Sequence, residues 1–285
     1  MRRIVFIIIY MGKYPWYLPY FLHSCRYNPT IDFLLFTDNE DPIPDLPLNV
    51  KKIPYSIDQV KTEAAKALNF EVAVETGYKL CDLKPAYGYI FSDYITDYDF
   101  WGYCDIDVVF GNIRLFMTDE LLDEYDLISA RHDYLTGCFA LYRNNSFMRE
   151  LFKQSKDYRK VFTDPRNFFF DETNFAFEEF AKGLHYSQIK TEVESMTHVA
   201  RRLQEASKLK AYFEFQILEG FAGNMLWKKG SLIYRNQFEA MLYHLVRFKR
   251  KYSESLDLCR KIPDEFRIGK KKIYYTKKTG MINEI

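Results

Sequence analysis

The sequence predicts an α/β protein with a mixed, mostly parallel central sheet, helices on both faces and a C-terminal extension. The run from Ile4 to Ile9 is apolar at every position, which is typical of a strand buried on both faces. A helix through Phe21 to Arg26 and a second apolar run, Phe33 to Phe36, complete a β-α-β unit. With 285 residues and 48% hydrophobic residues, the chain can bury one large core.

Strands and helices are expected to alternate along the rest of the chain. Further strands are predicted at residues 50–53, from 98 into a turn by 111, and at 126–129, 138–142, 212–217 and 231–235; helices are predicted at 56–68, 80–94, 144–158 and 191–210. Pro85 must occupy a first helical turn or a kink. Residues 228–230, Lys-Lys-Gly, are typical of a hairpin turn.

The charge distribution limits the choice of partners. A formal net charge of +1 argues against a nucleic-acid-binding protein, which needs a basic face for phosphates. The segment 244–285 nevertheless has 12 Lys or Arg against 5 Asp or Glu. Such a segment is either a solvated surface or a contact for anionic lipid or an acidic acceptor.

Cysteine spacing and hydropathy indicate a cytoplasmic protein. The five cysteines are widely spaced and form no C-x-x-C pair, so reduced thiols are expected. The first nine residues imitate a signal peptide, but no small-residue cleavage site follows, and we interpret them as a strand. No run approaches the roughly 20 apolar residues of a membrane helix. Peripheral contact with the inner face of a membrane, through the basic segment, is compatible with this pattern.

Two acids at the end of an apolar run are the main candidates for chemistry. Asp105 and Asp107 are two positions apart on a predicted strand, so their side chains should leave the same face and converge on one cation. Carboxylate oxygens suit Mg²⁺ or Mn²⁺. Such an ion would neutralise a departing nucleotide diphosphate. The alternative is a strand end with two solvated acids.

The surroundings of these acids resemble a known family. The stretches that carry the resemblance are 79–90 (KLCDLKPAYGYI) and 98–112 (YDFWGYCDIDVVFGN), with the opening strand, Phe36-Thr37-Asp38, residues 141–144 and a late histidine. They look like bacterial GT-A glycosyltransferases of polysaccharide clusters, in which a Lys or Arg helix precedes a strand ending in D-x-D. The resemblance implies a GT-A fold and a hexosyltransferase activity.

It also implies substrates and a division of the chain. A sugar would pass from a nucleotide diphosphate donor, with UDP as the expected nucleotide, to a saccharide or lipid-linked acceptor in surface polysaccharide synthesis. Residues 1–245 would form the catalytic domain, with a nucleotide-binding half at 1–112 and an acceptor half at 113–245. The basic C-terminal extension would cover 246–285.

Roles follow from the resemblance residue by residue. Asp107 would be the principal metal ligand, Asp105 would contact ribose or metal, and His244 would complete the metal shell. Lys84 would lie near the phosphates or the donor sugar. The alternative for His244 is a histidine packed at a strand edge, and the alternative for Lys84 is a solvated surface lysine.

The end of the first strand is a candidate nucleotide site. Tyr10 and Gly12, with Asp38 after the second strand, occupy the edge of a parallel sheet where nucleotides dock. Tyr10 could stack on a base and Asp38 could bind its polar edge. The alternatives are that Tyr10 is a core aromatic residue and that Asp38 stabilises a turn.

Acids that follow three phenylalanines are candidates for acceptor activation. Asp171 or Glu172 could act as general base, because an apolar surround raises a carboxyl pKa toward neutrality. A helix cap followed by an N-terminal acid explains the same pair. Residues 136–138 and His132-Asp133 lie where the resemblance suggests sugar or acceptor contacts.

Other functions fit less well. Asp105 to Val109 also matches the D-x-D-x-[TV] pattern of an aspartate-nucleophile phosphatase, but that nucleophile is expected after the first strand. A non-catalytic sugar-nucleotide-binding protein remains an alternative. A dinucleotide dehydrogenase is disfavoured because the segment 8–13 lacks G-x-G-x-x-G.

Overall fold

The computed structural model of the chain describes residues 1–214, 216–220, 223–276 and 282–284. The strands are β1 (Ile4–Ile9), β2 (Ile31–Thr37), β3 (Val50–Pro54), β4 (Phe100–Cys104), β5 (Val108–Phe110), β6 (Leu127–Ser129), β7 (Phe139–Arg143), β8 (Ala211–Phe213), β9 (Ile217–Glu219), β10 (Met225–Lys228), β11 (Ser231–Tyr234), β12 (Phe238–Glu239), β13 (Leu242–His244), β14 (Glu265–Ile268), β15 (Ile273–Thr276) and β16 (Ile282–Glu284). The helices are α1 (Leu18–Arg26), α2 (Ile57–Leu68), α3 (Leu80–Leu83), α4 (Tyr87–Ile90), α5 (Ile113–Phe116), α6 (Asp119–Glu124), α7 (Ser146–Arg149), α8 (Tyr158–Thr163), α9 (Phe177–Ala181) and α10 (Met196–Glu205).

Seven strands form the central sheet, in the order β3-β2-β1-β4-β7-β6-β8. The pairs β3–β2, β2–β1, β1–β4 and β6–β8 are parallel, whereas β4–β7 and β7–β6 are antiparallel. Alternate residues of β1 enter two different cores, one shared with α2 and the other with α1. This explains why β1 is apolar at every position. The predicted α/β class, with a mostly parallel sheet between helices, is confirmed.

A small second sheet explains how the two aspartates are placed. After Cys104 the chain leaves β4, and β5 joins a three-stranded sheet in the order β5-β13-β9. Asp105 and Asp107 therefore lie in the connection between two strands, and the prediction that they share one strand is wrong. The register of this sheet sets His244 opposite Val108 on one side and Glu219 on the other.

Three other local predictions differ from the structure. The strand predicted at 212–217 is two strands, because β8 completes the central sheet and β9 enters the small one. The helix predicted at 80–94 is a series of short turns, with Pro85 in the first turn of a 3-10 helix. The exposed helix predicted at 191–210 is shorter, and α10 buries one face, including Val199 and Leu203.

The third sheet brings in the C-terminal segment. Its order is β12-β11-β10-β14-β15-β16, so β14 pairs with β10 across a long stretch of sequence. Trp227 stacks on Phe266 with ring centroids 5.1 Å apart, which fixes this pairing. The hairpin predicted at 228–230 is confirmed: Lys229 and Gly230 adopt φ of 45° and 87° between β10 and β11. The boundary at 245 stays a prediction.

Two further observations concern the cysteines and the membrane. All five cysteines, each within the described ranges, are free thiols. Across those same ranges, we find no helix with the length and apolar character needed to span a membrane.

Candidate functional site

A cleft opens where β1 and β4 end. Its volume is about 320 Å³. It is lined by Ile9, Tyr10, Met11, Tyr17, Gly77, Tyr78, Leu80, Cys81, Lys84, Tyr87, Asp105, Ile106, Asp107 and Lys249. Four of the residues singled out from the sequence are in this set, namely Tyr10, Lys84, Asp105 and Asp107. The cleft therefore lies at the sheet edge predicted to bind a nucleotide.

Asp105 and Asp107, which line the cleft, come together with His244, which is not among the lining residues. One potential ligand atom from each lies within 4.8 Å of the others. His244 Nε2 is 3.3 Å from Asp107 Oδ2. The backbone N–H of Leu245 donates to the carbonyl oxygen of Asp107 at 2.8 Å, which ties the end of β13 to the connection after β4. Two carboxylates and one imidazole form a donor set that fits Mn²⁺ or Mg²⁺.

Two neighbouring side chains stabilise the negative charge of the buried Asp107 carboxylate. Asp107 is only 5% exposed, and burial opposes its ionisation. His244 and Lys249 outweigh that penalty and hold the pKa of Asp107 well below its usual range. Burial likewise opposes protonation of His244, but Cys138, Asp107 and Glu219 raise its pKa. His244 and Lys249 thus supply positive charge beside the carboxylate of Asp107.

Lys84 is part of the floor and not a solvated lysine. It is 7% exposed, and its Nζ donates to Asp105 Oδ1 at 2.6 Å and to the carbonyl oxygen of Gly137 at 2.8 Å. It also lies 3.7 Å from Asp171 Oδ2. Burial alone would lower the pKa of Lys84. Asp105 and the other acidic neighbours have the larger, opposite effect, so the pKa is raised and the ammonium stays charged. Lys84 therefore connects the two groups of acids.

Asp171 and Glu172 lie behind Lys84. Asp171 is 2% exposed, and its Oδ1 has no hydrogen-bond partner among the described residues. Glu172 Oε1 accepts the backbone N–H of Gly137 at 2.7 Å. Burial raises the pKa of both carboxyls. The helix-cap explanation is wrong, because these residues lie in turns and α9 begins only after them.

Gly137 sets the spacing between these groups. A Cβ at this position would lie 2.5 Å from Asp171 Oδ2 and 3.3 Å from Glu172 Oε1. Gly137, whose carbonyl oxygen accepts from Lys84 and whose N–H donates to Glu172, therefore has room for hydrogen only.

The predicted nucleotide residues separate into two groups. Tyr10 lines the cleft, and its hydroxyl donates to the carbonyl oxygen of Lys13 at 3.0 Å. Burial, followed by the charge of Asp107, raises the pKa of Tyr10. Gly12 adopts φ of 93°, and its N–H donates to Asp38 Oδ1 at 2.6 Å. Asp38 lines a separate depression, so its observed contact is that of a turn former.

The residues expected to contact the sugar or acceptor, His132, Asp133 and residues 136–138, make their contacts outside the cleft. Asp133 Oδ2 accepts a hydrogen bond from Arg131 at 2.6 Å. The carbonyl oxygen of His132 accepts one from Arg201 at 2.5 Å. Thr136 Oγ1 and Cys138 Sγ lie 3.2 Å apart. None of these contacts points into the cleft described above, and His132 and Asp133 line a different depression.

Sequence reasoning missed several residues of the site. Lys249 Nζ lies 2.6 Å from Asp107 Oδ2, although the charge count placed it in a basic tail. Its only signal is its position five residues after His244. Tyr17 lines the cleft from the segment before α1. Glu219 meets His244 through the parallel register of β9 and β13, which no local motif predicts.

Comparison with solved structures finds glycosyltransferases at low similarity. Galactosyltransferase LgtC in complex with donor and acceptor sugar analogs is 16% identical, with 55% of this chain and 64% of that chain covered and a TM-score of 0.36; the match therefore spans less than two thirds of that chain. The apo form of glycosyltransferase GlyE from Streptococcus pneumoniae TIGR4 is 11% identical, over 76% and 46%, with a TM-score of 0.35. Mouse xyloside xylosyltransferase 1, apo form, is 9% identical, over 84% and 97%, with a TM-score of 0.42.

Comparison with curated proteins finds no match. A protein-family comparison matches residues 6–277, which is nearly the whole chain. The chain therefore belongs to the family described as Family of unknown function (DUF6625).

Proposed function

We propose that this chain is a GT-A type glycosyltransferase that takes a sugar from a nucleotide diphosphate donor with the help of Mn²⁺ or Mg²⁺. The observation that carries the proposal is the convergence of Asp105, Asp107 and His244, whose potential ligand atoms lie within 4.8 Å of one another; the two aspartates line the cleft. Glycosyl transfer expels a diphosphate, and a divalent cation held there would neutralise it.

The cleft has the groups that a nucleotide diphosphate needs. Tyr10 and Tyr17 offer aromatic surface at the end of β1, where a base could stack. Lys249 adds a cation beside Asp107, and its ammonium group could also donate a hydrogen bond to a phosphate oxygen. The resemblance noted in the sequence favours UDP as the nucleotide and a hexose as the sugar. It also favours a saccharide or lipid-linked acceptor in surface polysaccharide synthesis.

Lys84, Asp171 and Glu172 are proposed to act on the sugar side of the site. Lys84 is charged and held by Asp105, so it can orient the donor while it stabilises Asp171. Asp171 is a buried carboxyl with one unpartnered oxygen and a raised pKa, which suits a group that takes a proton from an acceptor hydroxyl. Glu172 is fixed by the N–H of Gly137 and supports this arrangement.

A thermal-shift screen tests the proposal. UDP-sugars and other nucleotide sugars, each with and without Mn²⁺, are compared for their effect on the unfolding midpoint. We expect stabilisation that requires both the nucleotide sugar and Mn²⁺, and that is lost in Asp107→Ala. Turnover of the stabilising donor then separates an enzyme from a protein that only binds sugar nucleotides.

One further result would redirect the assignment. If a phosphorylated small molecule traps an acyl-phosphate on Asp105, the site is that of an aspartate-nucleophile phosphatase. The ion pair between Asp105 Oδ1 and Lys84 Nζ, at 2.6 Å, leads us to expect no such adduct.

A further inference from the structure

His244 lies between two carboxylates that contact opposite sides of its ring. Nδ1 is 2.8 Å from Glu219 Oε1, and Nε2 is 3.3 Å from Asp107 Oδ2. An ionised carboxylate only accepts hydrogen bonds, so Nδ1 must carry a proton. With Nδ1 protonated, His244 can bind a cation only through Nε2, the nitrogen 3.3 Å from Asp107 Oδ2, and a bound cation would replace the proton on that nitrogen.

Glu219 is itself held in place from its far side. Its Oε2 accepts a hydrogen bond from Arg131 at 2.7 Å, and the same guanidinium makes two bonds to Asp133, at 2.6 and 2.8 Å. The side chains of Glu219 and Arg131 are 26% and 14% exposed, so water competes little for these contacts. Backbone pairing of β9 with β13 sets Glu219 directly beside His244.

We infer that Glu219 is a positioning residue that orients His244 as a metal ligand, with Arg131 holding Glu219; the inference rests on the metal site of the proposed function. A carboxylate that accepts the far N–H of a ligating histidine fixes both the tautomer and the ring orientation, and it increases the basicity of the ligating nitrogen. Removing such a partner typically weakens metal affinity by about 10- to 100-fold.

A direct role for Glu219 as a ligand is the competing interpretation. Cys138, Glu219 and His244 also have potential ligand atoms within 4.8 Å of one another, and a thiolate would favour a softer ion such as Zn²⁺. Both oxygens of Glu219 are already engaged, however, by His244 and Arg131. Cys138 is 1% exposed, and its sulfur contacts Thr136. These contacts favour a supporting role outside the metal shell.

Mn²⁺ titration calorimetry on the full chain tests the inference. Glu219→Gln keeps the shape and an acceptor for Arg131 but loses the charge facing His244, and we expect it to weaken Mn²⁺ binding about 10- to 100-fold. Glu178→Gln is the matched control, because Glu178 is 85% exposed on α9, and it should bind Mn²⁺ as the wild type does. Cys138→Ser should also bind Mn²⁺ normally.

A second variant guards against a folding defect. Arg131→Lys cannot keep its paired bonds to Asp133 while it also holds Glu219, so it loosens the same carboxylate from behind. We expect a smaller loss of Mn²⁺ affinity in the same direction.

Pulsed electron paramagnetic resonance of bound Mn²⁺ gives a signature that a general packing defect would not produce. At saturating Mn²⁺ the wild type should show nitrogen coupling from a coordinated imidazole, His244→Ala should lack it, and Glu219→Gln should show it weakened. Wild-type affinity and coupling in Glu219→Gln would overturn the inference while leaving the metal site intact, as would an equal loss of affinity in Cys138→Ser. Absence of Mn²⁺ binding by the wild type would instead overturn the proposed function, and this inference with it.

Discussion

Lys249 Nζ lies 2.6 Å from Asp107 Oδ2, so a lysine that follows β13 reaches the floor of the cleft beside the first sheet. The side chain of Asp107 is 7% exposed and that of Lys249 is 34% exposed. Lys249 can therefore keep its contact with Asp107 while its remaining N–H groups face a ligand in the cleft. This links the C-terminal part of the family match to the proposed donor site.

Lys249→Ala should weaken binding of a nucleoside diphosphate in the presence of Mn²⁺. One charge-assisted hydrogen bond contributes about 1.5–3 kcal/mol, which corresponds to a loss of roughly 10- to 100-fold in affinity. Titration calorimetry with UDP and Mn²⁺ measures it. Lys261→Ala, at an exposed lysine of the same basic segment, should behave as the wild type. Unchanged UDP affinity in Lys249→Ala would remove Lys249 from the donor site.

Lys84→Met should destabilise the fold. Removing one partner from a buried ion pair leaves an uncompensated charge and typically costs about 3–5 kcal/mol, and here Asp171 would lose its nearest cation. Urea unfolding measures the change. Lys182→Met breaks the exposed Lys182–Glu178 pair and should cost less than about 1 kcal/mol. Equal, small effects of the two substitutions would contradict the burial of Lys84.

Gly137→Ala should disrupt the acids of the site. The added methyl group would lie 2.5 Å from Asp171 Oδ2, and overpacking of this kind typically costs about 1–3 kcal/mol. We expect donor turnover to fall below detection. Gly77→Ala is the matched control for stability, because its new Cβ would meet Met11 at an ordinary 3.7 Å. A Gly137→Ala variant with wild-type stability and turnover would show that the acids can shift freely.

The unfolding free energy should decrease as the pH falls through the range in which His23 titrates. Burial lowers the pKa of His23 from 6.5 to about 4, so the folded state keeps this ring neutral. Below pH 6.5 the unfolded chain takes up a proton that the folded chain does not, and stability is lost progressively down to about pH 4. Chemical unfolding of wild type and His23→Gln over this range measures it. Parallel pH curves for the two proteins would exclude His23 as the cause.

The fold class could be predicted from the sequence because its strongest signals are local. The apolar run of β1 fits a strand buried on both faces, and the Lys229-Gly230 pair fits the turn between β10 and β11. The move from the central sheet at β4 to the small sheet at β5 was not predictable, because the residues on both sides of Asp105 and Asp107 are apolar, as in one continuous strand. Periodicity does not reveal which sheet a strand joins.

Some residues of the candidate site could also be predicted from the sequence, and others could not. Asp105, Asp107 and His244 could be named from a motif and a resemblance, and the structure brings them together. Glu219 and Arg131 could not, because their contacts depend on the pairing of β9 with β13. Asp38 follows β2, and its carboxylate accepts a hydrogen bond from the backbone N–H of Gly12; its contact with a nucleotide stays a prediction.

Mn²⁺-dependent donor hydrolysis by Asp107→Asn is the measurement that tests the central claim most directly. Asn preserves the shape of Asp107 but not its charge, and Asp97→Asn, at an exposed acid before β4, is the matched control. We predict that wild type and Asp97→Asn release nucleotide diphosphate from a UDP-sugar only when Mn²⁺ is present, and that Asp107→Asn, although folded, releases none. Hydrolysis by Asp107→Asn at the wild-type rate would contradict the account.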